Sequence, residues 1–267
     1  MLLWRLAAVV AAVAAASAYA GAQAPAAGSS TQAAGARMPA AVSRALIDDL
    51  VAGNRILAAM GIVDARGHIS VRHPDNPQRY LISRAIAPAT VTADDILEFD
   101  LDNNVIGNPR KFEVYSERFI HGEAYKARPD IKAVVHAHTP SILLFGSIDT
   151  PLRPMNGFAA FLGTDRVPFA NEKGGGISNA PDGRLMAERL GQGSAVLMRW
   201  HGVVVVGFSI PNVVGRIYHL DNNAQALTQA LAMGATPQYP AVNPGAALRD
   251  NPYDREWDLW KSSYLAK

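Results

Sequence analysis

His136 and His138 stand two residues apart in an apolar run, Ala133-Val134-Val135-His136-Ala137-His138. In an extended strand that spacing sends both imidazoles out of the same face. Two polar rings together in apolar surroundings are costly unless something compensates them, and a divalent metal does so. The same spacing also suits a pair of hydrogen-bonded core histidines. His201 ends a strand and precedes Gly202, where a tight turn can aim the side chain inward. Three imidazoles leave coordination positions open for a substrate, as catalytic zinc sites do. With no cysteine in the chain, thiolate chemistry, disulfides and Cys-based zinc sites are excluded, so any metal must be held by His, Asp or Glu. The candidate acid/base is Glu117, on a helix leading into the His136 strand. Glu113 and Glu123 compete with it, and position alone does not choose among the three.

Elements that would carry these residues follow from the hydrophobic periods. Val42, Leu46, Leu50, Ile56 and Leu57 recur at helical spacing between Pro39 and Met60-Gly61. The period then changes to alternation in Ile69-Ser70-Val71-Arg72 and Tyr80-Leu81-Ile82-Ser83, around the turn Pro74-Asp75-Asn76-Pro77, which predicts a hairpin. Leu97 to Leu101 reads as a short strand, and residues Ser116 to Ala127 as a helix that stops before Arg128-Pro129-Asp130. After the His136 strand a short helix follows Pro140, and Asp149 to Ala180 is irregular, with Gly174-Gly175-Gly176 read as a flexible loop. A helix is expected from Pro181 to Leu190, and strands at Ala195–Met198 and Val203–Val206 flank His201-Gly202. Ser209 makes a good N-cap, with Pro211 in the first turn of a helix running to Met233-Gly234. The tail is rich in Pro, Asn and Gly and ends with Trp257, Trp260 and Tyr264. Strands interleaved with helices indicate an α/β domain.

At 267 residues and 49% hydrophobic, the chain can bury a sizeable core, which excludes wholesale disorder. Lys+Arg 25 against Asp+Glu 23 leaves no concentrated cationic face, which argues against nucleic acid as a partner. Part of the apolar fraction sits at the start. A short positive segment, Met1 to Arg5, leads into the Ala/Val run Leu6 to Ala20, closed by Ala18-Tyr19-Ala20. This predicts a signal peptide over residues 1–20, a disordered leader over 21–37 and a catalytic domain over 38–267. A periplasmic or secreted location, without stable membrane insertion after cleavage, is the expectation.

Several segments together resemble one known family. Ser116-Glu117-Arg118-Phe119, His121, Tyr125, Ala127-Arg128-Pro129-Asp130 and the His136/His138 strand look like the core of the class II aldolase/adducin family. Gly67-His68-Ile69-Ser70-Val71-Arg72 resembles its Gly-Asn-Ile-Ser-x-Arg loop, and Trp200-His201-Gly202 its Asn-His-Gly motif. The motifs occur in family order between Pro39 and Gly234. The resemblance implies a three-layer α/β/α fold around a central, mainly antiparallel sheet, and a homotetramer with active sites at subunit interfaces. It implies His136, His138 and His201 as ligands of one divalent ion per subunit, Zn2+ or else Mn2+ or Co2+, and Glu117 as the catalytic acid/base.

The departures from the family pattern narrow the reaction. Sugar-phosphate aldolases of this family hold phosphate with Asn in the glycine loop, a Ser/Thr-Gly turn and Ser-Ser before the Glu. Here the matching places are His68, Ser83-Arg84 and Tyr115-Ser116. Arginine's planar fork suits a carboxylate, so His68, Ser83, Arg84 and Ser116 are the expected substrate-binding residues. With Ala87-Pro88 and Asp94 to Asp100 they look most like a branch that decarboxylates hydroxylated aromatic acids. The expected function is metal-dependent carbon–carbon lyase chemistry on a small carboxylate, through a stabilised enolate. A sugar-phosphate aldolase or epimerase and a non-catalytic, adducin-like interaction module are the alternatives.

Overall fold

Alternation along the strands sorts the apolar side chains into two cores, one on each face of a sheet. The computed structural model describes residues 42–108, 110–163, 169–171, 174–241, 243, 245–246 and 253–265; the expected signal peptide and leader lie outside them. In chain order the elements are α1 (Arg44–Ala59), β1 (His68–Arg72), β2 (Arg79–Ser83), β3 (Ile96–Asp100), β4 (Val105–Ile106), α2 (Arg118–Ala127) and β5 (Ala133–Ala137). Then come α3 (Pro140–Ser147), α4 (Ala180–Leu190), β6 (Ala195–Met198), β7 (Gly202–Gly207), α5 (Ile210–Ala232) and α6 (Asp254–Tyr264). The strands form one seven-stranded sheet in the order β4-β3-β2-β1-β5-β7-β6. Every pairing between these strands is antiparallel.

Ile69, Val71, Val135, Val203 and Val205 face α1, α3, α5 and α6. Tyr80, Phe99, Val134, Val204 and Val206 face α2 and α4. This is the three-layer α/β/α arrangement that the family resemblance implies. His136 shares its face with Val134, and β1 lies beside β5 with His68 opposite His136 and Ser70 opposite Val134. Cross-strand partners project to the same side, so all the polar groups of interest meet the α2 layer.

The position of α2 is fixed at its far end by a buried guanidinium. Arg72, closing β1, donates to the carbonyls of Tyr125 (2.7 Å), Arg128 (3.0 Å) and Ile131 (3.0 Å). A cation on the last carbonyls of a helix satisfies orphan acceptors and complements the helix dipole. Arg128 in turn grips Asp130 through two bonds of 2.7 and 2.6 Å and donates to the Gly191 and Gly193 carbonyls. The Arg-Pro-Asp stop thus ties α2 to the turn after α4.

Three segments differ from their sequence reading. The helix expected from Ser116 starts at Arg118, because Glu117 serves as its N-cap residue. The glycine run is not a free loop: a β-carbon on Gly175 would lie 2.6 Å from the Arg199 carbonyl oxygen, so this backbone lies directly on the β6–β7 turn. The aromatic tail is a helix, α6, whose Trp257 and Trp260 are buried in the chain's own first core. Among the described residues no helix is long and apolar enough to cross a membrane.

Candidate metal centre

Four donors converge at one end of the central strands. One ligand atom each from Glu117, His136, His138 and His201 lies within 4.8 Å of the others. His136 is fully buried in β5, and its Nδ1 stands 3.0 Å from the Val203 carbonyl oxygen. A carbonyl only accepts, so Nδ1 carries the proton and Nε2 keeps its lone pair. That Nε2 has no hydrogen-bond partner in its buried position, which is the kind of orphan a metal ion resolves. Burial pushes the His136 imidazole down to about 3, so the ring is neutral and ready to ligate. His138 follows β5, and its Nδ1 is 3.2 Å from Asp64 Oδ1, again leaving Nε2 for the cluster. Donor type, donor number and fixed tautomers all fit a divalent cation held by imidazole nitrogen.

His201 sits in the tight β6–β7 turn, where its amide donates to the Met198 carbonyl at 3.1 Å. Trp200 within this turn has φ 56, a left-handed conformation that bulky residues rarely adopt. Gly202 follows because nothing larger fits: a β-carbon there would overlap the Ala137 carbonyl and come 3.0 Å from the His138 ring. The close approach of β7 to β5 is what brings His201 beside His136, with stacked rings 5.2 Å apart.

Glu117 arrives from the opposite layer. It occupies the N-cap position of α2 but makes no capping bond with its side chain. Its carboxylate turns to the histidines, with Oε1 2.6 Å from His201 Nε2, and Oε2 3.5 Å from His136 Nε2 and 3.7 Å from His68 Nε2. Burial alone would raise the carboxyl, but the hydrogen bond from His201 and the nearby imidazoles of His68 and His136 outweigh it and hold Glu117 well below the usual range. The group is a carboxylate in the free site, and the helix N-terminus favours that state. The competitors are elsewhere: Glu123 is buried against Lys126 at 2.9 Å, and Glu113 is exposed.

A cavity of about 530 Å³ opens onto Glu117 and is lined by Arg66, Ile86, Tyr115 and Ser116. Of the residues expected to bind substrate, Ser116 lines it. His68 is fully buried behind it, with its ring 4.3 Å from that of Tyr115. Ser83 is buried too, 3.4 Å from the Tyr115 hydroxyl. Arg84 is drawn aside: its Nε donates to Asp95 at 2.6 Å, and its guanidinium covers the Phe112 ring at 4.8 Å. Arg66, which the sequence reading passed over, is the exposed cation of the cavity wall. Asp64 was also missed. Its Oδ1 accepts from the amides of Arg66 (2.8 Å) and Gly67 (2.9 Å), and an Asp three residues before a Gly is a legible turn signal.

Residues 48–228 match the class II aldolase and adducin N-terminal domain. The chain belongs to this family. Within it, similarity runs to the decarboxylase branch. Decarboxylase tropJ of Talaromyces stipitatus is 32% identical over 202 residues, covering 69% of this chain and 76% of the relative. The 3,4-dihydroxyphthalate decarboxylase of Arthrobacter keyseri is 30% identical over 198 residues, 67% of this chain and 76% of the relative. Among solved structures, an aldolase II superfamily protein from Pseudomonas syringae superposes with a TM-score of 0.71 at 20% identity, over 83% of this chain and 92% of that one. The last likeness establishes the fold alone.

Proposed function

We propose that this chain is a metal-dependent decarboxylase of a small hydroxylated carboxylic acid, of the aromatic class. The observation that carries the reading is the Glu117 carboxyl set among three imidazoles, at the edge of a cavity whose wall offers an exposed arginine. The similarity to named decarboxylases supports it. His136, His138 and His201 would hold one divalent ion, Zn2+ before Mn2+ or Co2+. When bound, it supplies Lewis-acid stabilisation for the electron pair released by carbon–carbon cleavage.

The chain's own residues do the rest. Arg66 orients the substrate carboxylate through a forked pair of hydrogen bonds. Glu117, ionised at rest, takes the proton of the substrate hydroxyl and returns it to the ring carbon that loses CO2, while solvent restores the hydroxyl proton. Ile86 and Tyr115 supply an apolar wall for a ring, and Tyr115 is held in place by donating to the Ile86 carbonyl at 2.6 Å. Export as a periplasmic or secreted protein, a folded catalytic domain over residues 38–267 and assembly as a homotetramer complete the proposal.

The test is metal content of the purified chain together with CO2 release from 2-hydroxybenzoate-type acids. About one divalent ion per chain, and CO2 release abolished by chelation, are expected. Arg66→Ala should raise KM by about tenfold, as loss of a charged hydrogen bond does, while Arg84→Ala leaves KM in place. Retro-aldol products without CO2 would overturn the decarboxylase reading in favour of an aldolase. Absence of metal uptake on reconstitution would overturn both.

A further inference from the structure

Behind Glu117 runs a line of buried polar side chains that the proposed reaction does not use. His68 Nδ1 is 2.8 Å from His121 Nε2 on α2, and His121 Nδ1 is 2.6 Å from Ser70 Oγ on β1. Ser70 Oγ is 2.8 Å from the Tyr125 hydroxyl, one turn further along α2. His68, Ser70, His121 and Tyr125 are each fully buried, so no solvent shares these bonds. At the other end His68 Nε2 has no hydrogen-bond partner, and Glu117 Oε2 lies 3.7 Å away.

Such a line has a direction. Burial holds the His121 imidazole well below its ordinary range and pushes the Tyr125 phenol up, so both are neutral. A neutral imidazole donates at one nitrogen and accepts at the other. The Tyr125 hydroxyl has Ser70 at 2.8 Å and the Lys132 carbonyl only at 3.5 Å, beyond good hydrogen-bond length. Its proton therefore goes to Ser70. Ser70 must then donate to His121 Nδ1, His121 Nε2 to His68 Nδ1, and His68 is left with its proton on Nε2. The plane of His121 is set by Tyr80, stacked within 15° of it at a centroid distance of 6.2 Å.

We propose that His121 is a positioning residue: backed by Ser70 and Tyr125, it locks His68 in the tautomer whose Nε2–H faces the Glu117 carboxylate. His68 then offers Oε2 a proton donor beside the unprotonated His136 Nε2, which lies 3.5 Å from the same oxygen. The 3.7 Å separation is long for a hydrogen bond, as catalytic contacts commonly are before substrate binds. The role in turnover rests on the decarboxylase reading; the tautomer does not.

The experiment reads both. Full-length chain labelled with 15N in histidine, metal-free and loaded with Zn2+, reports by nitrogen chemical shift which ring nitrogen of His68 is protonated, with His68→Gln giving the assignment. Protonation on Nε2 is expected. Ser70→Ala, which breaks the line with a small change, and His121→Phe should both populate the Nδ1–H form. They should also lower kcat by about tenfold at unchanged KM and metal content. His121→Gln, which keeps a donor toward His68, should retain the Nε2–H form and most of kcat. A wild-type His68 protonated on Nδ1, or an unchanged tautomer in both Ser70→Ala and His121→Phe, would overturn the proposal. If no acid is decarboxylated, the nitrogen shifts still decide it.

Discussion

Glu117 is negatively charged in the free site, and this decides what a substitution there removes. Glu117→Gln keeps a polar group opposite His201 and keeps the shape of the α2 N-terminus, but it loses proton transfer. The expected result is a fall in kcat of about 10²- to 10⁴-fold with metal content retained, checked by CO2 release beside metal analysis. The choice among Glu113, Glu117 and Glu123 was not legible from spacing, since all three lie near one helix. Only the third dimension separates them: Glu123 turns to Lys126, while Glu117 is turned across to the β6–β7 turn. His136 and His138 were legible because a period of two in an apolar run has one geometric meaning. Arg66 was hidden in a short loop, where no period tells which way a side chain points.

At the scale of elements, the site depends on how closely β7 approaches β5. Gly202 makes that approach possible, so Gly202→Ala must push the strand away from Ala137 and carry His201 with it. We expect a loss of about 1–3 kcal/mol in stability, as overpacking typically costs, together with weakened metal binding. Chemical denaturation and metal titration of the variant would check both. The sequence located β1, β2, β3, β5, β6 and β7 and α1 to α5 to within a few residues, because each carries a helical period, an alternation or a short continuous run of apolar residues. It passed over β4, two residues long, and read α6 only as aromatic tail, because the helix follows a stretch rich in Pro, Asn and Gly. The docking of Trp260 at 5.1 Å from Tyr218 decides the matter in the structure, and packing of that kind leaves no periodic trace.

For the whole molecule, buried histidines make stability depend on pH. Burial lowers His121 and His219 from an ordinary value of 6.5, so the native state refuses protons that the unfolded chain accepts. Stability is then complete above that value and falls as pH drops below it. Glu117, lowered from 4.5, adds a further loss in more acid solution, because the unfolded carboxyl takes up protons there while the native one stays ionised. The melting temperature of metal-free protein should therefore decrease from about pH 7.5 to about pH 5.5, measured by calorimetry at fixed ionic strength.

β5 lies inside the sheet between β1 and β7, and neither of these neighbours is close to it in sequence. His136 meets Val203 across 67 residues, and Glu117 meets His201 across 84. Contacts of such high sequence separation form late, after the loop entropy between them has been spent. The cation-binding pocket is thus assembled near the end of folding, and an ion cannot serve as the nucleus on which the chain collapses. Loading the finished protein should slow its unfolding while leaving its refolding rate almost unchanged, a difference that stopped-flow experiments with and without chelator would resolve. In this fold a bound cation would act as a latch that closes last.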